Sequence, residues 1–250
     1  DALNKIENIT GVKLDVTVQG DIDSALAYIS STGTGLYGIV NNAGVINLGA
    51  MIEVDEGDLE FLFDVNIYGP YRITKAFAPL VIASKGRIVN ISSISGVLSG
   101  PLFGAYSMSK HALESYTDTL AGEMAKFGVN VAAVEPGNFA SMIGATAKKR
   151  AEKSGQLSAK SLYQDEMNRM FSGVGNRADM ADPIAVAEAV EHALFNVSPK
   201  ARYMVVPNQV EAAVTIQKVI REMVELNEDQ AHSYDRDALI KMLDQAIQTL

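Results

Sequence analysis

Cysteine is absent from these 250 residues, so neither a disulfide nor thiolate chemistry is open to the chain. That absence fits a cytoplasmic protein. Histidine is scarce: His111, His192 and His232 stand far apart without HExxH-type spacing, and no metal centre is expected. Basic residues are outnumbered, 21 against 30 acidic, for a net charge of −9. A chain of that sign disfavours nucleic acid and anionic membrane surfaces as partners. No apolar run approaches the roughly 18 residues that a membrane-spanning helix needs. Repeats and low-complexity tracts are missing. No glycine-rich turn precedes the first apolar run, and the chain opens at Asp1.

What the chain does have is core. Hydrophobic residues make up 48% of it, enough for one large α/β domain over residues 1–250. Strand-like apolar runs fall at 12–16, 36–41, 87–91, 129–134 and 202–206, several apolar throughout, as strands buried on both faces are. They alternate with helical patterns at 21–30, 55–82, 105–126 and 183–195. That alternation predicts a parallel sheet with helices on both faces. Asp21 and Asp182 read as N-caps, the second followed by Pro183. Between 142 and 180 the pattern breaks into a polar stretch with Lys148, Lys149 and Arg150. The tail from 208 to 250 reads as a helical extension. Its apolar stripes (Ala213, Ile216, Ile220, Met223, then Ile240, Leu243, Ile247, Leu250) suit core or subunit contact, and a homo-oligomer is the expectation.

The chemistry concentrates in Tyr106, Ser107, Met108, Ser109 and Lys110, with Ser93 thirteen residues upstream. On a helix, Tyr106 and Lys110 have Cβ atoms roughly 5–6 Å apart. A tyrosine titrates near pH ~10, too high for a proton shuttle at neutral pH. An ammonium at ~4 Å is worth on the order of 4 kcal/mol at an effective dielectric of ~20. The expectation is therefore a phenol lowered by up to about three pKa units, usable as general acid and base.

With Ser93 ahead of it, this pattern resembles the catalytic centre of the short-chain dehydrogenase/reductase family. Further motifs follow in the family's order: Leu14 to Thr17 at a strand end, Asn41-Asn42-Ala43-Gly44, Val65-Asn66, Asn90-Ile91-Ser92-Ser93, and Glu135-Pro136-Gly137. The resemblance covers roughly residues 11–206. It implies a Rossmann-type doubly wound parallel sheet and NAD or NADP as cofactor. It also implies an alcohol or carbonyl small molecule as substrate.

The resemblance also assigns roles. Tyr106 donates a proton to a carbonyl oxygen during reduction and takes one from an alcohol during oxidation. Lys110 lowers the phenol's pKa and binds the nicotinamide ribose. Ser93 donates to the substrate oxygen as charge builds there. Asn66 holds a water that links the lysine to solvent, unless it only makes a helix–sheet hydrogen bond. Asp15 and Val16 contact the adenine, with Asp15 as a plain turn residue the alternative. Asn42, Ala43 and Gly44 line the adenosine ribose, while Asn41 ties strands together. Pro136, Gly137, Phe139 and Ser141 cover the nicotinamide amide and pyrophosphate. Residues 142–180 correspond to a substrate flap, or to an ordinary surface helix pair. Glu135, the 35–38 segment and the 127–129 segment also occur in relatives acting on retinoids and steroids, which suggests an apolar substrate.

Family members open with two strands and a glycine-rich turn that have no counterpart before Asp15. A truncated beginning is the expectation, with weak dinucleotide binding by these residues alone. The side chain that separates NAD from NADP ends the second of those strands. Two rival readings share the motifs: a non-catalytic nucleotide-binding relative, and a sugar-nucleotide epimerase or dehydratase.

Overall fold

Successive residues of a strand face opposite sides of a sheet, and in the middle strands both sides are apolar. The structure, a computed structural model, describes residues 3–153, 161–174 and 180–249. Strands β1 (Gly38–Asn41), β2 (Arg87–Ile91), β3 (Asn130–Pro136) and β4 (Arg202–Val205) pair in parallel, in chain order. Ile88 and Val131 face one layer, where Ile22 of α1 (Gln19–Thr32) is buried with Ile73, Phe77 and Val81. Val89, Ala132 and Val134 face the other, packed with Ala193 and Tyr203. The first layer is completed by α3 (Gly69–Ser84), which follows on from helix α2 (Glu56–Phe63), and by α4 (Gly104–Ala125). The fold is thus α/β with helices on both faces.

A third apolar cluster is built from segments that leave the carboxyl ends of β1, β2 and β3. It joins Ile46, Leu62, Leu102 and Tyr106 to Ala147 and Ala151 of α5 (Ile143–Lys153) and to Met167 and Phe171 of α6 (Gln164–Val174). Helix α7 (Ile184–Phe195) covers the second face of the sheet. The N-cap of α7 is Pro183 rather than Asp182; Asp182 stands one residue earlier, where its Oδ1 accepts from the Ile184 N–H at 2.9 Å. Part of the 142–180 stretch lies outside the described residues.

The chain divides after Asn208 into two compact units. The second holds α8 (Gln209–Asn227) and α9 (Arg236–Thr249). The Asn227 side chain bridges the turn between them, donating to the Tyr234 carbonyl at 2.9 Å and accepting from the Tyr234 N–H at 2.8 Å. The striped residues Ile216, Ile220, Met223, Ile240, Leu243 and Ile247 are all exposed.

Three further expectations need correction. Residues 12–16 form no strand: among the described residues β1 pairs with β2 alone, and an extended segment without a ladder partner is not a sheet strand. The helix expected over 55–82 is interrupted by a π turn, Asp64–Tyr68, in which Gly69 N–H reaches back to the Asp64 carbonyl. Pro70 follows directly and cannot supply the next ladder donor. Gly69 is needed there, because a Cβ would lie 2.8 Å from Val16 Cγ2. Asp21 lies in the first turn of α1 rather than at its cap, which is Val18; its carboxylate accepts from the Asp15 N–H instead.

Candidate active site

Tyr106, Lys110 and Glu114 occupy one face of α4, each a turn beyond the last. Ser93 arrives from the end of β2 in extended conformation and caps the short 3-10 turn Ile94–Gly96, accepting from the Ser95 N–H at 3.1 Å. Its hydroxyl donates towards the Pro136 carbonyl at 3.4 Å. Three strand ends therefore fix the site: β2 through Ser93, β3 through Pro136, and β1 through the Asn42–Gly44 loop.

Burial pushes the Tyr106 phenol above the usual tyrosine range, and hydrogen bonding with the Ser93 side chain opposes that shift. The Lys110 ammonium lies 5.7 Å from the Tyr106 ring centroid and donates to the Ile91 carbonyl at 2.9 Å. Burial pulls its pKa down to about 8, and the Glu114 charge partly restores it. The expected lowering of the phenol by its lysine is thus not met. Desolvation disfavours the phenolate more than neighbouring groups favour it.

Asn66, 1% exposed, sits in the π turn and spends its side chain on the loop after Gly44. Oδ1 accepts from the Val45 N–H at 2.8 Å; Nδ2 donates to the Val45 carbonyl and to Ser109 Oγ, both at 2.9 Å. Ser109 Oγ in turn donates to the Tyr106 carbonyl at 2.7 Å. The π turn thereby ties the loop to α4 one residue before Lys110. Asn41 behaves as a strand tie: Nδ2 donates to Asn90 Oδ1 at 2.8 Å, and Asn90 Nδ2 to Thr117 Oγ1 at 2.9 Å.

A cleft of about 440 Å³ is lined by Asn42, Gly44, Ser93, Tyr106, Lys110, Pro136, Gly137, Phe139 and Ser141, together with Ile46, Ile143 and Val186. A smaller one of about 180 Å³ is lined by Leu14, Val16, Val40, Asn41, Asn42, Ala43, Pro70 and Ile73. Asn42 belongs to both. Of the residues anticipated from sequence, only Asn66 and Asp15 line neither. Asp15 forms a turn: Oδ1 accepts from the Thr17 N–H at 2.9 Å and from Thr17 Oγ1 at 2.7 Å, and these bonds hold its carboxyl below the usual range. A larger hollow of about 750 Å³ lies on the outer surface beside Met108, with Glu56, Glu60 and Asp64 along it. None of the Ser93, Tyr106 and Lys110 side chains borders it.

A model of the family described as short chain dehydrogenase matches residues 1–153. The chain belongs to the short-chain dehydrogenase family. The mitochondrial D-beta-hydroxybutyrate dehydrogenase of Bos taurus is 33% identical over 216 residues, covering 80% of this chain and 62% of that protein. The chain therefore spans less than two thirds of the length of that curated relative. A short-chain dehydrogenase from Streptomyces avermitilis has a TM-score of 0.72 at 30% identity, covering 91% of this chain and 80% of the other. A short-chain dehydrogenase/reductase from Burkholderia phymatum, solved in complex with NAD, has a TM-score of 0.69 at 25% identity, covering 90% and 79%.

One feature of this chain was not anticipated from its sequence. Arg202 of β4 reaches Glu114 and Asp118 of α4 and Glu135 of β3. The four-residue step from Lys110 to Glu114 was a usable signal; Arg202, 88 residues further on, gave none.

Proposed function

We propose that this protein is an NAD- or NADP-dependent oxidoreductase that interconverts an alcohol and a ketone or aldehyde. The observation that carries the reading is one cleft shared by the Ser93, Tyr106 and Lys110 side chains, in a chain of this family. The relative from Burkholderia phymatum binds NAD, and the residues here suit such a cofactor. Lys110 spends one of its three N–H donors on Ile91 and still borders the cleft. Gly44, without a Cβ, keeps the adjoining backbone approachable.

Val16, Asn42, Ala43 and Gly44 would hold the adenosine end, with Asp15 beside them. Pro136, Gly137, Phe139 and Ser141 would hold the nicotinamide end, and Lys110 its ribose. When bound, the cofactor supplies the hydride donor or acceptor. Tyr106, protonated at neutral pH as folded, gives its proton to the substrate oxygen as a carbonyl is reduced; in oxidation the phenolate takes the hydroxyl proton. Ser93 donates to the same oxygen and lowers the cost of the charge that builds on it. Lys110 keeps a positive charge beside the Tyr106 ring, and Asn66 holds the loop and α4 in register around both.

The substrate class we infer is apolar. Ile46, Phe139, Met142 and Ile143 line the cleft together with Tyr106. Residues 142–180 act in this reading as a flap. Its described part is fastened by Glu53, which accepts from Ser161 Oγ at 2.6 Å and from the Leu162 N–H at 2.8 Å.

The test is a panel of secondary and primary alcohols, hydroxybutyrate, and apolar ketones and aldehydes, run with NAD(H) and NADP(H) on the natural full-length protein. Turnover of apolar members with net cofactor redox supports the reading. A nucleotide-sugar product formed without net redox, or nucleotide binding without turnover of any panel member, refutes it.

A further inference from the structure

Glu114 is 7% exposed, yet only one of its two carboxylate oxygens has a hydrogen-bond partner. Oε2 accepts from Arg202; Oε1 is buried and accepts from no described residue. The neighbouring Ser92 hydroxyl is buried and unpartnered as well. Both atoms lie 3.0 Å from where a Cβ on Gly96 would stand, so the space over Glu114 exists because residue 96 has no side chain. An unsatisfied buried carboxylate oxygen is costly. An ion pair with Arg202 alone does not account for it, since Arg202 already has Asp118 and Glu135. Besides Arg202 and the neighbouring Glu135 carboxyl, Glu114 has a buried cation one turn back, Lys110.

We propose that Glu114 is a positioning residue: held by Arg202, its carboxylate keeps the Lys110 ammonium charged behind Tyr106. The proposal rests on the reading of Tyr106 and Lys110 given above and extends it to a residue outside the cleft. Its consequence is that the proton affinity of the site is set from one turn further along α4, outside the cleft.

The groups around Glu114 support this division of labour. Its own helix contributes Tyr106, Lys110 and Asp118, β3 contributes Glu135, and β4 contributes Arg202. The turn Ile94–Gly96 packed against α4 brings no charge. From α2 and the π turn, Glu56, Glu60 and Asp64 border the outer groove instead. Burial, then the Glu114 charge, push the Glu135 carboxyl up to about 7, against the pull of Arg202. The carboxyl pair therefore sheds a charge near neutrality, while the Glu114 charge holds the Lys110 pKa above where burial alone would put it.

The test is the titration of Lys110 itself, read by NMR of lysine-labelled full-length protein, with the Lys110→Arg variant assigning the resonance. In the unsubstituted protein Lys110 titrates near 8. In Glu114→Gln the midpoint falls by about one pH unit, and in Glu114→Asp, which keeps the charge, by less than about half of that. A Glu114→Gln midpoint within about 0.3 unit of the unsubstituted value overturns the proposal, as does an equal drop in both variants. Should Glu114→Gln not fold, Glu114→Met, a neutral side chain of similar length, gives the same readout. Loss of the carboxylate lowers the Lys110 midpoint if the proposal holds, and an unchanged midpoint overturns it. Failure of the oxidoreductase reading shows separately, as absence of turnover in the unsubstituted protein whatever Lys110 does.

Discussion

Tyr106 and Lys110 stand one helical turn apart, but the ammonium is directed to the carbonyl of Ile91 rather than to the phenol oxygen. The two groups are buried together, and burial moves each towards its neutral form. The site as folded therefore holds a protonated phenol beside an ammonium that begins to lose its charge near pH 8. That state is ready to protonate a carbonyl oxygen.

Reduction should accordingly fall as the pH passes about 8, where Lys110 deprotonates. In Lys110→Arg that limb should vanish, because a guanidinium keeps its charge throughout. Activity should drop by about tenfold or more at pH 7, since the compact donor and its bond to Ile91 are lost. The measurement is kcat/KM for reduction across pH. An unchanged limb in Lys110→Arg rules out Lys110 as its source.

Ser93→Ala should lower kcat by roughly 10²–10³-fold, the cost of one donor to a developing oxyanion. KM should move far less. The lost cap on the Ser95 N–H should cost only about 1 kcal/mol of stability. Steady-state kinetics and a melting curve on the same preparation separate the two effects.

Asn66→Leu removes three hydrogen bonds, one buried and two part-buried, and strands both polar groups of Val45. The expected loss is about 2–4 kcal/mol, which for a chain of this size lowers the Tm by very roughly 4–16 °C. Thermal unfolding checks it.

The sequence carried the sheet because β2 and β3 are apolar on both faces, a pattern visible without coordinates. It carried the pairing of Tyr106 with Lys110 because helical spacing fixes which side chains share a face; Ser93, which arrives from the end of β2, was reached through the family resemblance. It misled at residues 12–16, where a strand-like run finds no partner; strand formation depends on a neighbour, which local sequence does not report. The break at Asn66 was legible only in hindsight, from Gly69 and Pro70 following it. The direction of the Tyr106 shift was misread for a related reason. Spacing announces the neighbouring charge but is silent about burial, and burial prevails. The Glu114 and Glu135 partnership through Arg202 joins three elements distant in sequence.

Glu135 links stability to pH. Its carboxyl is raised from 4.5 to about 7 on folding, so the folded state binds more protons than the unfolded one between those values. Its contribution is therefore full below pH 4.5 and is lost as the pH rises through about 7. Lys110 is lowered to about 8, so it acts in a separate window. Its contribution is present above its unfolded value, near 10.5, and is lost as the pH falls through about 8. In Glu135→Gln the decline in Tm between acidic and neutral pH should flatten; an unaltered slope contradicts the assignment.

The most direct measurement is the turnover of Tyr106→Phe in the natural full-length protein, with the best alcohol and ketone from the panel and a saturating cofactor. The account gives a fall of about 10²–10⁴-fold in kcat, with cofactor affinity and folding retained, since only one hydroxyl leaves a site otherwise built by backbone and neighbours. Rates equal to those of the unsubstituted protein would show that the phenol carries no proton for the reaction, and the catalytic assignment would be wrong.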